Sequence, residues 1–346
     1  MQMVKKWTAR ALAGLCFTLV AATAQAQVVL KYSSWLPPNH WLNTNGMLPW
    51  IAEVEKATQG RVKIEMLPKT VGTAPSQFDV VRDGLADVSL IVTGYTPGRF
   101  ELAEMGELPF LGEDPTIMSP TFDRIYRKHF ASAGEFKGVE VLSIFTIAPG
   151  HIFTAKRQIR TLDDMKGLKL RSASATGTRA LTLLGAVPIL KSSTEAFEML
   201  STGQIDGSLM LQETVKSTNS VGLLHYGLLV PGGLFNSSLA VIANSDKWKQ
   251  IPAADQRLVM QVSAEHLAAN IGKAYADADQ AAVDAMKEAK YVIERANPTL
   301  DAAFRKSMAP IEDEWIAKAK KKGVADPAAA LKEFRSEVEK QANARK

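Results

Sequence analysis

The chain has 346 residues, 46% of them apolar and 22% charged, with a formal net charge of +5. That length and balance exclude a disordered chain and describe one large or two medium domains with a substantial core. The one cysteine, Cys16, excludes a disulfide framework.

The first residues read as an export signal rather than as part of a fold. Lys5, Lys6 and Arg10 precede an apolar run from Ala11 to Ala22, and Ala24-Gln25-Ala26 fits the small-x-small cleavage rule. The run spans roughly 12 residues, too short for a comfortable membrane span. The expectation is a signal peptide over residues 1–26, cut after Ala26, and a mature chain exported to the periplasm. Leu15 stands where a lipoprotein signal needs a small residue, so no lipid anchor is expected. Without the leader the chain has no cysteine, which excludes thiol catalysis and zinc-thiolate sites. Its three basic residues also go, so +5 becomes +2, and a nucleic-acid partner loses its electrostatic case. No later stretch is apolar enough to cross a bilayer.

Val28 to Trp35 reads as a strand, Pro37-Pro38-Asn39-His40 as a turn, and Leu48, Ile51 and Val54 as the apolar face of a helix ending near Gly60. Arg61 to Met66 alternates as a strand does; a helix over Gln77 to Asp83 and a strand over Val88 to Val92 follow. This β-α-β-α-β order predicts a largely parallel sheet flanked by helices. Trp35, His40 and Tyr95 fall just beyond predicted strand ends, where α/β sheets bind ligands. Trp35 reads equally as a core residue or a ligand-stacking one, and His40 as a plain loop histidine or a cleft residue. Leu108-Pro109-Phe110 reads as packing, and Asp114 to Lys137 as a surface helix.

Val139 to Phe145 is a strand leading out of the first domain, and His151 to Thr154 is a strand of the second. Leu162 to Gly167 reads as one helical turn, and Leu168 to Arg171 as an alternating strand with Arg171 at its tip. The small polar run Ser172 to Thr178 then leads into a helix over Arg179 to Leu184. A guanidinium at a strand tip beside a helix N-terminus suits a carboxylate, which it meets with two parallel hydrogen bonds. A plain surface arginine is the alternative.

Ser192 and Ser193 follow the strand Val187 to Leu190 and read as cleft residues. Gly203 to Gly207 turns into the strand Ser208 to Leu211. Gly232 to Asn236 reads as a return crossing, with Phe235 either packing between domains or stacking on a ligand, and Leu239 to Asn244 as a buried strand of the first domain. Ile251 to Glu288 reads as one long helix, and the tail from Leu300 as helices over the second lobe. Nucleophile-elbow, zincin, Walker-type and dinucleotide-binding motifs are all missing, which argues against an enzyme. The five histidines (His40, His129, His151, His225 and His266) lack metal-ligand spacing, and no cofactor is expected.

The run Arg160 to Arg171, RTLDDMKGLKLR, resembles the signature of the solute-binding proteins of TRAP (tripartite ATP-independent periplasmic) transporters. Supporting matches are Leu30 to Trp35, Gly60 to Ile64, Asp83 to Asp87, Leu108 to Phe110, Leu184 to Pro188 and Gly203 to Gly207. The resemblance implies a two-lobed α/β periplasmic-binding-protein fold, each lobe a mixed, mostly parallel sheet flanked by helices, with a long helix spanning both. Lobe I would take residues 27–148 and about 236–262, and lobe II residues 149–235 and about 263–346. It also implies that Arg171 binds a substrate carboxylate and that the partners are the small and large TRAP membrane subunits. His151 stands where such receptors often carry a second arginine, so it reads as a pH-dependent contact or a buried structural histidine. Met210 stands where part of the family carries an asparagine, and Gln212-Glu213 where other branches carry Trp-Glu, so the resemblance implies that these three line the pocket. Met210, Trp35 and Tyr95 then point to a compact monocarboxylate with an apolar or aromatic body. The alternatives are a receptor for another importer or sensor, and a secreted enzyme acting on a small acid.

Overall fold

The computed structural model describes residues 27–345, so the expected signal peptide and its cleavage site lie outside the described residues. In the first lobe β1 (Val28–Ser33), β2 (Val62–Met66) and β3 (Val88–Val92) are connected through α1 (Leu48–Ala57) and α2 (Gln77–Arg82). β1 runs parallel to both β2 and β3. The alternation of β2 buries Val62 and Ile64 and turns Lys63 and Glu65 outward, while β3 is buried along its whole length, as a central strand must be.

α3 (Pro115–His129) and β4 (Val139–Thr146) complete this part of the lobe. The sequence reads α3 as a surface helix. It is instead largely buried, with Ile117, Met118, Phe122, Ile125 and Tyr126 all inside, because a long helix and the C-terminal helix cover the face that looked free.

The chain then crosses to the second lobe. There β5 (His151–Thr154), β6 (Lys169–Ser172), α4 (Ala175–Leu183), β7 (Val187–Leu190), α5 (Ala196–Ser201), β8 (Gly207–Met210), α6 (Gln212–Ser217) and β9 (Tyr226–Leu229) follow one another. α4 starts four residues before the expected Arg179, since Ser174 caps it by accepting a hydrogen bond from Gly177 N–H at 3.1 Å. β10 (Ser238–Asn244) returns to the first sheet, between β3 and β4 and antiparallel to both. That sheet is mixed, in the order β2-β1-β3-β10-β4.

α7 (Ser245–Trp248) follows β10, and the pattern from Ile251 to Glu288 divides into α8 (Ala253–Gln261) and α9 (Ala264–Glu288). The expected single helix breaks at Ser263, whose Oγ accepts from Trp50 Nε1–H at 3.0 Å, and at Ala264, which has φ 46°. At 25 residues α9 is about 38 Å long, enough to run along both lobes. It packs on α3 at one end and on α6 at the other. Gly272 permits the first contact: a Cβ there would stand 2.3 Å from Pro115 O.

β11 (Val292–Arg295) joins the second sheet parallel to β9, giving the order β11-β9-β5-β8-β6-β7. α10 (Pro298–Met308), α11 (Pro310–Lys321) and α12 (Pro327–Ala344) end the chain. The sequence places these helices over the second lobe, and α10 does touch α4. α12 instead packs on α3 of the first lobe, with Phe334 edge-on to Phe122 at 6.2 Å. Trp315 of α11 meets Phe130 at 6.0 Å and donates to Glu101 O at 3.0 Å. The aromatic pairs decide this placement; helical spacing alone carries no information about which lobe a helix covers.

The two strand crossings pair with each other. Gly150 N–H donates to Phe235 O at 2.8 Å, and Leu234 N–H donates to Gly150 O at 3.0 Å. The ring of Phe235 lies where a Cβ on residue 150 would be, 1.8 Å away, so only glycine fits. The result is a short two-stranded ribbon between the lobes, a hinge in the sense of a few residues that absorb a change of lobe angle.

Candidate functional site

A narrow cavity of about 60 Å³ lies between the lobes. Of the residues singled out in the sequence, Arg171, Trp35, Tyr95, Ser193, Glu213, Phe235 and His40 line it. Met210, His151 and Gln212 do not. Met210 is fully buried in the satellite core of the second lobe with Phe153 and Val215. Its strand pairs with β5, His151 opposite Met210, so both side chains belong to the sheet rather than to the cleft. His151 is 5% exposed, and its Nδ1 accepts from Val230 N–H at 3.2 Å. Burial, followed by the charge of Arg295, lowers its pKa to about 4, so the ring is neutral at pH 7. Of the two readings the sequence left open for His151, these observations fit the buried histidine and not the pH-dependent ligand contact. Gln212 opens α6 and is not among the residues that line the cavity.

Arg171 sits in β6 between Ile189 of β7 and Ser208 of β8. It is 2% exposed, so the reading as a surface arginine falls. Its Nε donates to Lys191 O at 2.8 Å, but its buried Nη2 has no hydrogen-bond partner. Among the described residues it makes no ion pair: Glu195, the acid whose charge acts on it, is held by Lys191 Nζ at 2.9 Å and by Ser192 Oγ at 3.0 Å. Burial lowers the guanidinium pKa, opposed by the nearby Tyr95 hydroxyl. A buried cation without a counter-charge costs several kcal/mol, and a carboxylate offers the pairing that removes the cost.

Aromatic rings build much of the remaining wall. Trp35 donates its indole N–H to Leu90 O at 2.9 Å and stands edge-on to Tyr95 at 6.0 Å. Phe235 is fully buried at the hinge. Tyr275, from the middle of α9, closes another side, edge-on to Trp41 at 4.7 Å. The sequence reading missed Tyr275; the available signal was a single aromatic in an alanine-rich helix that spans both lobes.

The second polar element is Glu213, 7% exposed. Its Oε2 accepts from Trp41 Nε1–H of the first lobe at 3.1 Å, its Oε1 accepts from Thr214 Oγ1–H at 2.6 Å, and its own N–H donates to Asp279 Oδ1 at 2.8 Å. Burial raises the pKa of Glu213, against hydrogen bonds from Thr214, Ser217 and Trp41. Asp279 is pushed up to about 7 by burial and then by the Glu213 charge, so two buried carboxyls share less than two full negative charges near neutrality. His40 is neutral as well: burial lowers it to about 4, and its Nδ1 accepts from Leu42 N–H at 3.1 Å. Among the described residues no group of His, Cys, Asp and Glu is arranged to hold a metal ion.

Two α/β lobes on a paired hinge, closing on a cavity with a buried lone guanidinium, define a hinge-type solute receptor. The chain belongs to the bacterial extracellular solute-binding protein family 7, whose model matches residues 33–319, and it is a receptor of the TRAP-transporter type rather than an enzyme. It is 36% identical to a TRAP periplasmic solute-binding protein from Bordetella bronchiseptica, solved with bound (R)- and (S)-mandelate. That match has a TM-score of 0.88 and covers 91% of this chain and 99% of the other. A TRAP solute-binding protein from Rhodoferax ferrireducens, solved with copurified benzoate, is 25% identical with a TM-score of 0.84, covering 92% of this chain and all of the other. Among curated relatives, an outer membrane transporter protein, TsaT, from Comamonas testosteroni is 24% identical over 315 residues, 90% of this chain and 92% of that one.

Proposed function

We propose that the chain captures a compact monocarboxylic acid with an apolar or aromatic body and delivers it to the small and large membrane subunits of a TRAP transporter. On this reading the mature protein works in the periplasm after cleavage behind Ala26. Arg171 takes the carboxylate; Trp35, Tyr95, Phe235 and Tyr275 enclose the body. The observation that carries the reading is the unpartnered Nη2 of a 2%-exposed Arg171 on the cavity wall. The aromatic lining supports an apolar or aromatic body, and the mandelate- and benzoate-bound structures of similar receptors agree with it. Met210 no longer contributes to this reading, since it lies in the core.

Lobe closure buries the ion pair, so the ligand favours the closed state by the affinity difference between the two states. The test is a thermal-shift panel of small organic acids on the chain from residue 27, purified free of carried-over ligand, with Arg171→Met alongside. A ligand at ~100 times its dissociation constant stabilises by about 2.7 kcal/mol. The expected result is a shift with aromatic monocarboxylates that disappears in Arg171→Met. A panel in which only sugar acids or neutral solutes shift the wild type overturns the proposal.

A further inference from the structure

The two lobes touch at a point that has no room for a side chain. Gly94 lies in the turn Thr93–Tyr95 after β3, on the first lobe. A Cβ on it would stand 2.5 Å from Ser174 Cβ and 3.1 Å from Ala173 O, both on the second lobe. Carbon atoms rest about 3.5 Å or more apart, so the lobes would have to part by roughly 1 Å there to admit one methyl group. The φ of Gly94 lies outside the left-handed region, so its backbone does not call for glycine. What calls for it is the approach of the other lobe.

The segment that Gly94 meets carries the anchor. Ala173 and Ser174 follow directly on β6, which holds Arg171, and Ser174 is the N-cap of α4. On the other side, Thr93 Oγ1 donates to Ser238 O at 3.0 Å, and the Tyr95 hydroxyl is hydrogen-bonded to Ser193 of the second lobe. A separation of roughly 1 Å at Gly94 would stretch those neighbouring cross-lobe bonds past hydrogen-bond reach. A clash here also differs from one inside a lobe. The hinge lets the lobes part as bodies, so a side chain at position 94 leaves each lobe folded and denies the pair only its closed arrangement. The third neighbour, Glu107 Oε1 at 2.8 Å, is the end of a side chain of the same lobe.

Resting on the monocarboxylate reading above, we propose that Gly94 is a positioning residue for ligand capture: its missing side chain lets the lobes close until the tip of β6, with Arg171, and the turn bearing Tyr95 enclose one ligand together. A larger residue at position 94 holds the cleft ajar. The ligand then meets a receptor whose closed state is rarer, and its apparent affinity falls by that fraction.

The experiment is calorimetric titration of the chain from residue 27 with benzoate, in the wild type, Gly94→Ala, Ser174→Gly and the double variant. Gly94→Ala should bind about tenfold or more weakly, with a ligand-free melting temperature within about 3 °C of the wild type. Ser174→Gly removes the nearest atom across the cleft and still serves as an N-cap. Gly94→Ala/Ser174→Gly should therefore return to within about threefold of Ser174→Gly alone, a coupling that a fault confined to the first lobe, such as displacement of Glu107, would not produce. Spin labels at Leu85→Cys and Phe197→Cys, one exposed site on each lobe of a chain with no other cysteine after residue 27, read the lobe separation directly. With saturating benzoate the distance should be longer in Gly94→Ala than in the wild type. Wild-type affinity in Gly94→Ala, a loss that Ser174→Gly does not recover, or a ligand-free protein that melts far below the wild type overturns the inference and leaves the carboxylate receptor intact. Absence of benzoate binding in the wild type overturns both.

Discussion

Tyr95 and Ser193 meet across the cleft through two hydrogen bonds: the Tyr95 hydroxyl donates to Ser193 Oγ at 3.1 Å and accepts from Ser193 N–H at 3.0 Å. Tyr95 follows β3 of the first lobe and Ser193 follows β7 of the second, so opening the lobes breaks both bonds. Tyr95→Phe keeps the ring against Trp35 and removes these bonds, together with the hydroxyl's interaction with Arg171. At about 1 kcal/mol for each, affinity for the ligand should drop roughly 5- to 30-fold. The loss should lie in dissociation rather than association, as stopped-flow fluorescence of the cleft tryptophans would read it.

Arg171 separates two effects that most substitutions mix. Replacing it by Met removes a buried, unpaired charge, so the ligand-free protein should be as stable as the wild type or more stable. The same change should remove the stabilisation by ligand, at least a 10- to 100-fold loss of affinity for an ion-paired, doubly hydrogen-bonded carboxylate. Lysine should not rescue it, since a point charge cannot reproduce the fork. Melting temperatures with and without benzoate measure both halves at once.

His151 predicts the acid limb of the stability curve. Its folded pKa, about 4, lies below the ordinary value of 6.5, so the unfolded chain binds more protons between the two. Its contribution is full above about pH 6.5 and is lost as pH falls through 4. His40 acts in the same direction. His151→Gln, whose side-chain oxygen can still accept from Val230 N–H, should flatten the decline of melting temperature between pH 6.5 and 4; an unchanged slope would place the titration elsewhere.

Glu107 predicts the opposite limb. It is 1% exposed, its Oε2 has no hydrogen-bond partner, and burial followed by the charge of Glu104 raises it to about 8. A carboxyl raised in the folded state stabilises fully below its unfolded value near 4.5 and loses that contribution as pH rises through 8. Asp279 and Glu135, both at about 7, add to the trend. Glu107→Gln should keep the side-chain volume and reduce the fall in stability between pH 5 and 9, as urea unfolding at each pH would show.

The joint of α9 with α3 has no slack at Gly272, where a Cβ would stand 2.3 Å from Pro115 O. That atom is backbone and cannot swing aside. Gly272→Ala should therefore destabilise by about 1–3 kcal/mol despite alanine's better helix propensity. Chemical denaturation of the two proteins checks the sign, which propensity alone would give as stabilising.

Most strands of the two sheets were legible in the sequence because local pattern carries them: alternation in β2, a largely apolar run in β3, a basic tip on β6; β9 was not singled out. Arg171 was legible for the same reason, through a strand end and a resemblance that runs through it. β11 was not, since four half-exposed residues between helices have no pattern of their own and become a strand only by pairing with β9. The resemblance made Met210 a cleft residue and left His151 as either a ligand contact or a buried histidine. The tertiary structure turned them into the sheet, because antiparallel pairing of β5 with β8 sets which side chains face the cavity, and a register is not written in either strand alone. Tyr275, Trp41 and the neutral state of His40 belong to the same class: they depend on groups brought together from positions far apart in the chain. Sequence determined most elements and singled out Arg171; packing decided which side chains surround it, because burial and hydrogen-bond partners are properties of neighbours in space.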